Sequence, residues 1–172
     1  MSEQIPPNNQ LAKNIEIDWA ALEASLTGLD EDQLAHICDE NGWNIKDHLA
    51  HIAHWEEVLL MMFLGIPFEE TMRITYGKYP VFEDVNEDMR RQWTDFSPKA
   101  ILSRLHRVHH QLMGKLSPLS EDDLQTPIRQ FFSNLWIPEN EDRKMEEFIQ
   151  SHTDSHYRDH TAWINKMVAT SR

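Results

Sequence analysis

Residues 44–65 read NIKDHLAHIAHWEEVLLMMFLG, and their periodicity decides the fold class. Ile45, Leu49, Ile52, Leu59 and Met62 recur at steps that a helix places on one arc. Asn44 is a residue type that accepts hydrogen bonds from the first free amides of a helix, Asp47 follows three residues on, and Pro67 stands beyond the end. The stretch therefore predicts one amphipathic helix that ends near Gly65 and carries three histidines.

Three further segments share this periodicity. Leu11, Ile15, Trp19, Leu22 and Leu26 form an apolar stripe, and Gly28 follows as a stop. Ser97 and Pro98 open a helix whose stripe is Ile101, Leu105, Val108, Leu112 and Leu116. The last predicted helix runs from about Asp142 to Ala169, with Met145, Phe148, Ile149, Trp163 and Met167 on one face. A turn is expected over Asp30 to His36. A long crossover is expected over Pro67 to Asp95, punctuated by Tyr76, Gly77, Tyr79 and Pro80 and containing a short helix around Glu83 to Trp93. Gln125 to Asn140, with Pro127, Pro138, Phe131, Phe132 and Trp136, reads as a loop able to wall a pocket. The expected architecture is all-α, a four-helix bundle with a long crossover connection, formed by residues 1–172 as a single domain.

Composition agrees and excludes other classes. Five glycines in 172 residues are too few for the tight turns of a hairpin-rich β fold. A hydrophobic content of 40% supports a sizeable core. The balance of 16 basic and 29 acidic residues, a net charge of −13, predicts no nucleic-acid partner, because phosphate backbones would be repelled. The single thiol, Cys38, forms no internal disulfide and reads as a small apolar residue in a reducing compartment. The start of the chain lacks the basic and apolar pattern of a signal peptide, and the apolar run Val58 to Leu64 is far short of the roughly 20 residues that span a bilayer. The expectation is a cytoplasmic protein without a membrane partner.

Ten histidines are the chemical signal. At 100° per residue, His152 and His156 fall on either side of the stripe through Met145 and Trp163, and imidazoles at i and i+4 converge on one cation. The competing explanation is a pair of core histidines satisfied by neighbours. His48 and His51 both lie within or beside the buried arc of the 44–65 helix, and periodicity does not choose between them as a third ligand. His54 lies outside that arc. His109 faces inward, His106 lies near an edge, His110 points to solvent and His36 sits in a turn; for these, ordinary packing or exposure is the expectation. His160 is expected on the rim or as a donor behind the ligands. Three neutral imidazoles leave a tetrahedral cation one open position, the arrangement of a catalytic rather than a structural site. Such a set suits a divalent ion, zinc or nickel foremost, with iron or copper also fitting. No histidine has Glu three residues before it, which removes the ferritin-like di-iron pattern, and no nucleophile elbow, phosphate loop or dinucleotide fingerprint is present.

The stretch Gly42 to Glu56 resembles the entry to the second helix of the DinB/YfiT-like superfamily of metal-binding helical bundles, whose histidine corresponds to His51. The superfamily's C-terminal His-x3-His corresponds to His152 and His156, so the resemblance implies a triad of His51, His152 and His156. Asn86 to Leu124 and the segment Ser155 to Arg158 look more like the ClbS/DfsB-type branch, some of whose members hydrolyse a cyclopropane-bearing genotoxin. Other members of the superfamily are thiol-dependent transferases or isomerases. The resemblance therefore implies a metal-dependent enzyme of small-molecule or detoxification chemistry, a hydrolase or a thiol-dependent transferase, that activates water or a low-molecular-weight thiol. It also implies a homodimer. The alternatives are a small-molecule sequestration protein without catalysis, or a dimeric interaction module.

Overall fold

A computed structural model describes residues 9–67, 70, 71, 82–137 and 139–171. The helices are α1 (Gln10–Ser25), α2 (Glu31–His36), α3 (Ile45–Phe63), α4 (Phe82–Trp93), α5 (Pro98–Leu116), α6 (Glu121–Gln125), α7 (Ile128–Phe131), α8 (Met145–Gln150) and α9 (Asp154–Thr170). Among the described residues there is no strand, so the all-α expectation holds. The four longest helices pack chiefly as α3 against α5 and α1 against α9, with α4 and α2 laid on α3.

Local chemistry sets the boundaries. Asn44 accepts from the Asp47 amide at 2.8 Å while Asp47 accepts from the Asn44 amide at 3.2 Å, a reciprocal box that starts α3. Ser97 caps α5 through the Ala100 amide, with Pro98 in the first turn. The expected arc of α3 and stripe of α5 are all buried. Three elements differ from expectation. Asp30 to His36 forms the capped helix α2 rather than a turn, because Asp30 and Gln33 close their own box. The fourth long helix is broken at residues 151–153, where Thr153 leaves helical geometry (φ −131°, ψ −107°), giving α8 and α9. The segment expected to be a loop contains α7. Tyr76, Gly77, Tyr79, Pro80 and Pro138 lie outside the described residues.

The core has a polar centre. Glu56 of α3 and Tyr157 of α9 are fully buried, and the Tyr157 hydroxyl donates to Glu56 Oε1. His109 of α5 places Nδ1 3.2 Å from that same oxygen and 3.1 Å from the Tyr157 hydroxyl, and Trp19 of α1 stacks on the His109 ring at 3.7 Å. Side chains of α5 and α9 thus meet on one carboxyl group of α3, and α1 packs on them through Trp19. Burial pushes the Glu56 carboxyl well above its usual range, and burial pulls His109 and His54 down to about 3.

Those directions set the pH dependence of stability. Between pH 6.5 and about 3, the unfolded chain binds protons on His54 and His109 that the folded chain refuses, so stability falls with acid by about 1.4 kcal/mol per pH unit for each proton. Glu56 has the opposite sign. Above the usual carboxylate range the folded chain keeps a proton that the unfolded chain has lost, which erodes stability as pH rises. Urea titration at a series of pH values is expected to show stability dropping steeply below about pH 6.5, and Glu56→Gln is expected to flatten the alkaline decline. A second prediction concerns Asn9, which is 3% exposed, caps Ala12 and donates to the carbonyls of Leu116 and Leu119 at 3.0 and 2.9 Å. Asn9→Ala is expected to lower the unfolding free energy by about 2 kcal/mol with an unchanged denaturant slope.

Candidate metal centre

Helix α3 presents His48 and His51 to the same side as His156 and His160 of α9. One ring nitrogen each from His51, His156 and His160 lies within 4.8 Å of the others, the one group of this kind among the described residues. His156 Nε2 and His160 Nε2 stand 3.0 Å apart, close to the roughly 3.3 Å between two nitrogens on a shared tetrahedral zinc. The His51 ring centre is 4.9 Å from that of His156 and 5.0 Å from that of His160. His51 Nδ1 and His156 Nδ1 are buried without a hydrogen-bond partner among the described residues.

Electrostatics keep these rings neutral. Burial, reinforced by the neighbouring imidazoles, pulls His156 down to about 4 and holds His51 and His160 well below the ordinary histidine value. Their lone pairs are therefore available at neutral pH. Neutral imidazole nitrogens suit a borderline divalent cation. Clustered and partly orphaned imidazoles, with His160 buried and His51 and His156 half-buried, fit such an ion better than they fit an apolar core.

A cavity of about 680 Å³ opens onto the three histidines, with Trp43, Trp163 and Lys166 among its walls. Trp163, expected on the buried stripe, is 48% exposed and stands beside the His160 ring at 4.8 Å. Cys38 is exposed at the cavity rim rather than packed as a small apolar residue.

The structure brings together two of the three residues expected from sequence, His51 and His156, and adds His160 where His152 was expected. His152 lies in the break before α9, with Nδ1 2.8 Å from the Phe148 carbonyl and 3.0 Å from the Ser151 hydroxyl. The reason is angular. Extrapolating 100° per residue from Met145 crosses residues 151–153, where the helix is interrupted and its phase is reset. Within α9 the step from His156 to His160 is the same i to i+4 spacing, and that was the available signal for His160. His48 is buried behind the group, with Nδ1 3.0 Å from His160 Nδ1. His54, expected outside the buried arc, is 1% exposed on the face that α5 covers, near Arg104. His106 lies 3.4 Å from Glu23 and is half exposed.

The sequence profile described as the DinB superfamily matches residues 14–164. No curated protein matches the chain in sequence. Solved structures do match in fold. The colibactin self-resistance protein ClbS, solved in complex with a dsDNA, is 17% identical, with 91% of this chain and 92% of that chain covered and a TM-score of 0.66. The sibling lethal factor precursor DfsB is 16% identical over 98% of this chain and 99% of its own, with a TM-score of 0.69. An uncharacterised protein from Escherichia coli UTI89 is 10% identical over 99% and 98%, with a TM-score of 0.70. The first of these corrects the expectation that nucleic acid is excluded as a partner: a chain of this fold holds duplex DNA. Net charge sums the whole surface, whereas contact with phosphates depends on the local potential of one face, so −13 was no basis for that exclusion. None of the helices is long and apolar enough to cross a membrane among the described residues. With its profile matched over most of its length, and with ClbS and DfsB among its structural neighbours, the chain belongs to the DinB superfamily.

Proposed function

We propose that this protein is a metal-dependent enzyme of small-molecule or detoxification chemistry, in which His51, His156 and His160 hold one divalent cation, zinc or nickel foremost. The observation that carries this reading is a cluster of three neutral imidazoles from two helices at the wall of a cavity large enough for a small organic molecule. A bound divalent ion supplies Lewis acidity that brings the pKa of water or of a low-molecular-weight thiol toward neutrality. The chain's own part is to bind and orient. Trp43 and Trp163 offer aromatic walls on which an apolar or planar substrate rests, and Lys166 is a cation at the same mouth. His152, tied to the Phe148 carbonyl, stays outside the ligand set in this reading.

Elemental analysis of untagged protein is expected to find close to one divalent ion per chain. Zinc titration is expected to lose its high-affinity phase in His160→Ala and to keep it in His152→Ala; the reverse pattern would return His152 to the site. Against a panel of small electrophiles, turnover is expected to stop on chelation and to return with added metal. Dependence on an added thiol marks transfer, and turnover in water alone marks hydrolysis. Tight ligand binding by metal-free protein without turnover would replace this proposal with sequestration.

A further inference from the structure

Behind the three-histidine group stands a fourth histidine with a carboxylate behind it. His48 is 3% exposed, its Nδ1 is 3.0 Å from His160 Nδ1, and the Oδ2 oxygen of Asp39 lies 3.4 Å from its Nε2. His48 Nε2 makes no hydrogen bond among the described residues, so the nearby Asp39 carboxylate acts on it through charge proximity. The other nitrogen of His160, Nε2, is the one 3.0 Å from His156. The residues therefore form a line from Asp39 through His48 to His160 and the cluster.

Each imidazole in that line carries one proton when neutral, so the tautomers are coupled. Only one of the two Nδ1 atoms at 3.0 Å can donate. A proton on His48 Nε2, facing the carboxylate, leaves His48 Nδ1 as acceptor. His160 must then carry its proton on Nδ1, which leaves a lone pair on Nε2. The opposite assignment puts a proton on His160 Nε2, where it would block coordination. The carboxylate decides between the two, because an ionised carboxylate only accepts.

The loop is built to aim that carboxylate. Asp39 Oδ1 accepts from the amides of Asn41 and Trp43 at 2.8 and 2.9 Å, which locks the group and leaves Oδ2 for His48. Gly42, at φ +79°, supplies the left-handed turn that brings those amides round. The bridge between Cys38 and Asn44 ties the loop to the start of α3, one turn before His48.

We infer that Asp39 and His48 are positioning residues that fix the tautomer of His160, so that its Nε2 offers a lone pair rather than a proton to a cation shared with His51 and His156. This rests on the metal reading above for its consequence, though the tautomer pattern itself is a property of the metal-free chain. Carboxylate partners behind ligating histidines typically contribute roughly 10–100-fold to metal affinity.

The test is long-range proton–nitrogen correlation spectroscopy on the full metal-free chain with labelled histidine, near neutral pH. The expected wild-type result is a proton on Nε2 of His48 and on Nδ1 of His160; the opposite pair of tautomers overturns the inference. Asp39→Asn is the sharpest variant. Its amide oxygen can keep the two backbone bonds, while its amide nitrogen puts a donor where Oδ2 was. Both tautomers are then expected to reverse, and zinc affinity to fall roughly 10–100-fold. A variant that keeps the wild-type tautomers and the wild-type affinity overturns the inference. His48→Leu, which removes the relay while leaving Asp39 and its loop, is expected to lower zinc affinity to a similar degree, and unchanged affinity there overturns it independently. A wild-type chain that shows the expected tautomers but binds no zinc would instead defeat the metal reading and leave the coupled tautomers standing.

Discussion

Helix α3 is enclosed on nearly every side: 14 of its 19 residues are buried. In that position a buried polar side chain gains from a partner on a neighbouring element, and several of those on α3 have one. Glu56 is answered by Tyr157 of α9 and His109 of α5, and His48 by His160 of α9. Lys46 reaches the Thr94 carbonyl at 2.7 Å beyond α4. The polar residues of α3 thus specify which helices surround it and in what register, while its apolar arc supplies most of the burial.

The same enclosure produces the chemistry of the site. Imidazoles in water sit near pH 6.5 and are partly protonated at neutrality. Withdrawn from water and packed against each other, His51, His156 and His160 resist a second proton and keep lone pairs. The protein thereby stores donor capacity in its interior, at the expense of acid stability. The polar centre at Glu56 lies on the same two helices as the cluster and uses Tyr157, the residue next to His156, so the packing that seals the core also orients one imidazole of the cluster.

Much of this was legible in the chain itself. The arcs of α1, α3 and α5, the box at Asn44 and Asp47, and the cap at Ser97 are local, and local patterns survive into the fold. His156 was legible as a ligand candidate from its i to i+4 spacing with His152, whereas periodicity left His51 level with His48 and the family resemblance singled it out. The structure groups His160 rather than His152 with His51 and His156, and the break at 151–153, which separates the phase of α9 from that of α8, has no glycine or proline to announce it. Asp39 was invisible for another reason. It stands outside any helix, and its bearing on His48 comes from a turn and two amides rather than from a spacing in the sequence.

The interruption between α8 and α9 has a consequence for how His156 and His160 are oriented. Because residues 151–153 are not helical, the orientation of His156 and His160 is set by α9 alone, where Tyr157 anchors the helix to α3 and Arg158 reaches Asp18 of α1. The break resets the helical phase while Thr153 stays tied to the Ile149 carbonyl at 2.8 Å, so the two imidazoles take their rotation from α9 rather than from α8.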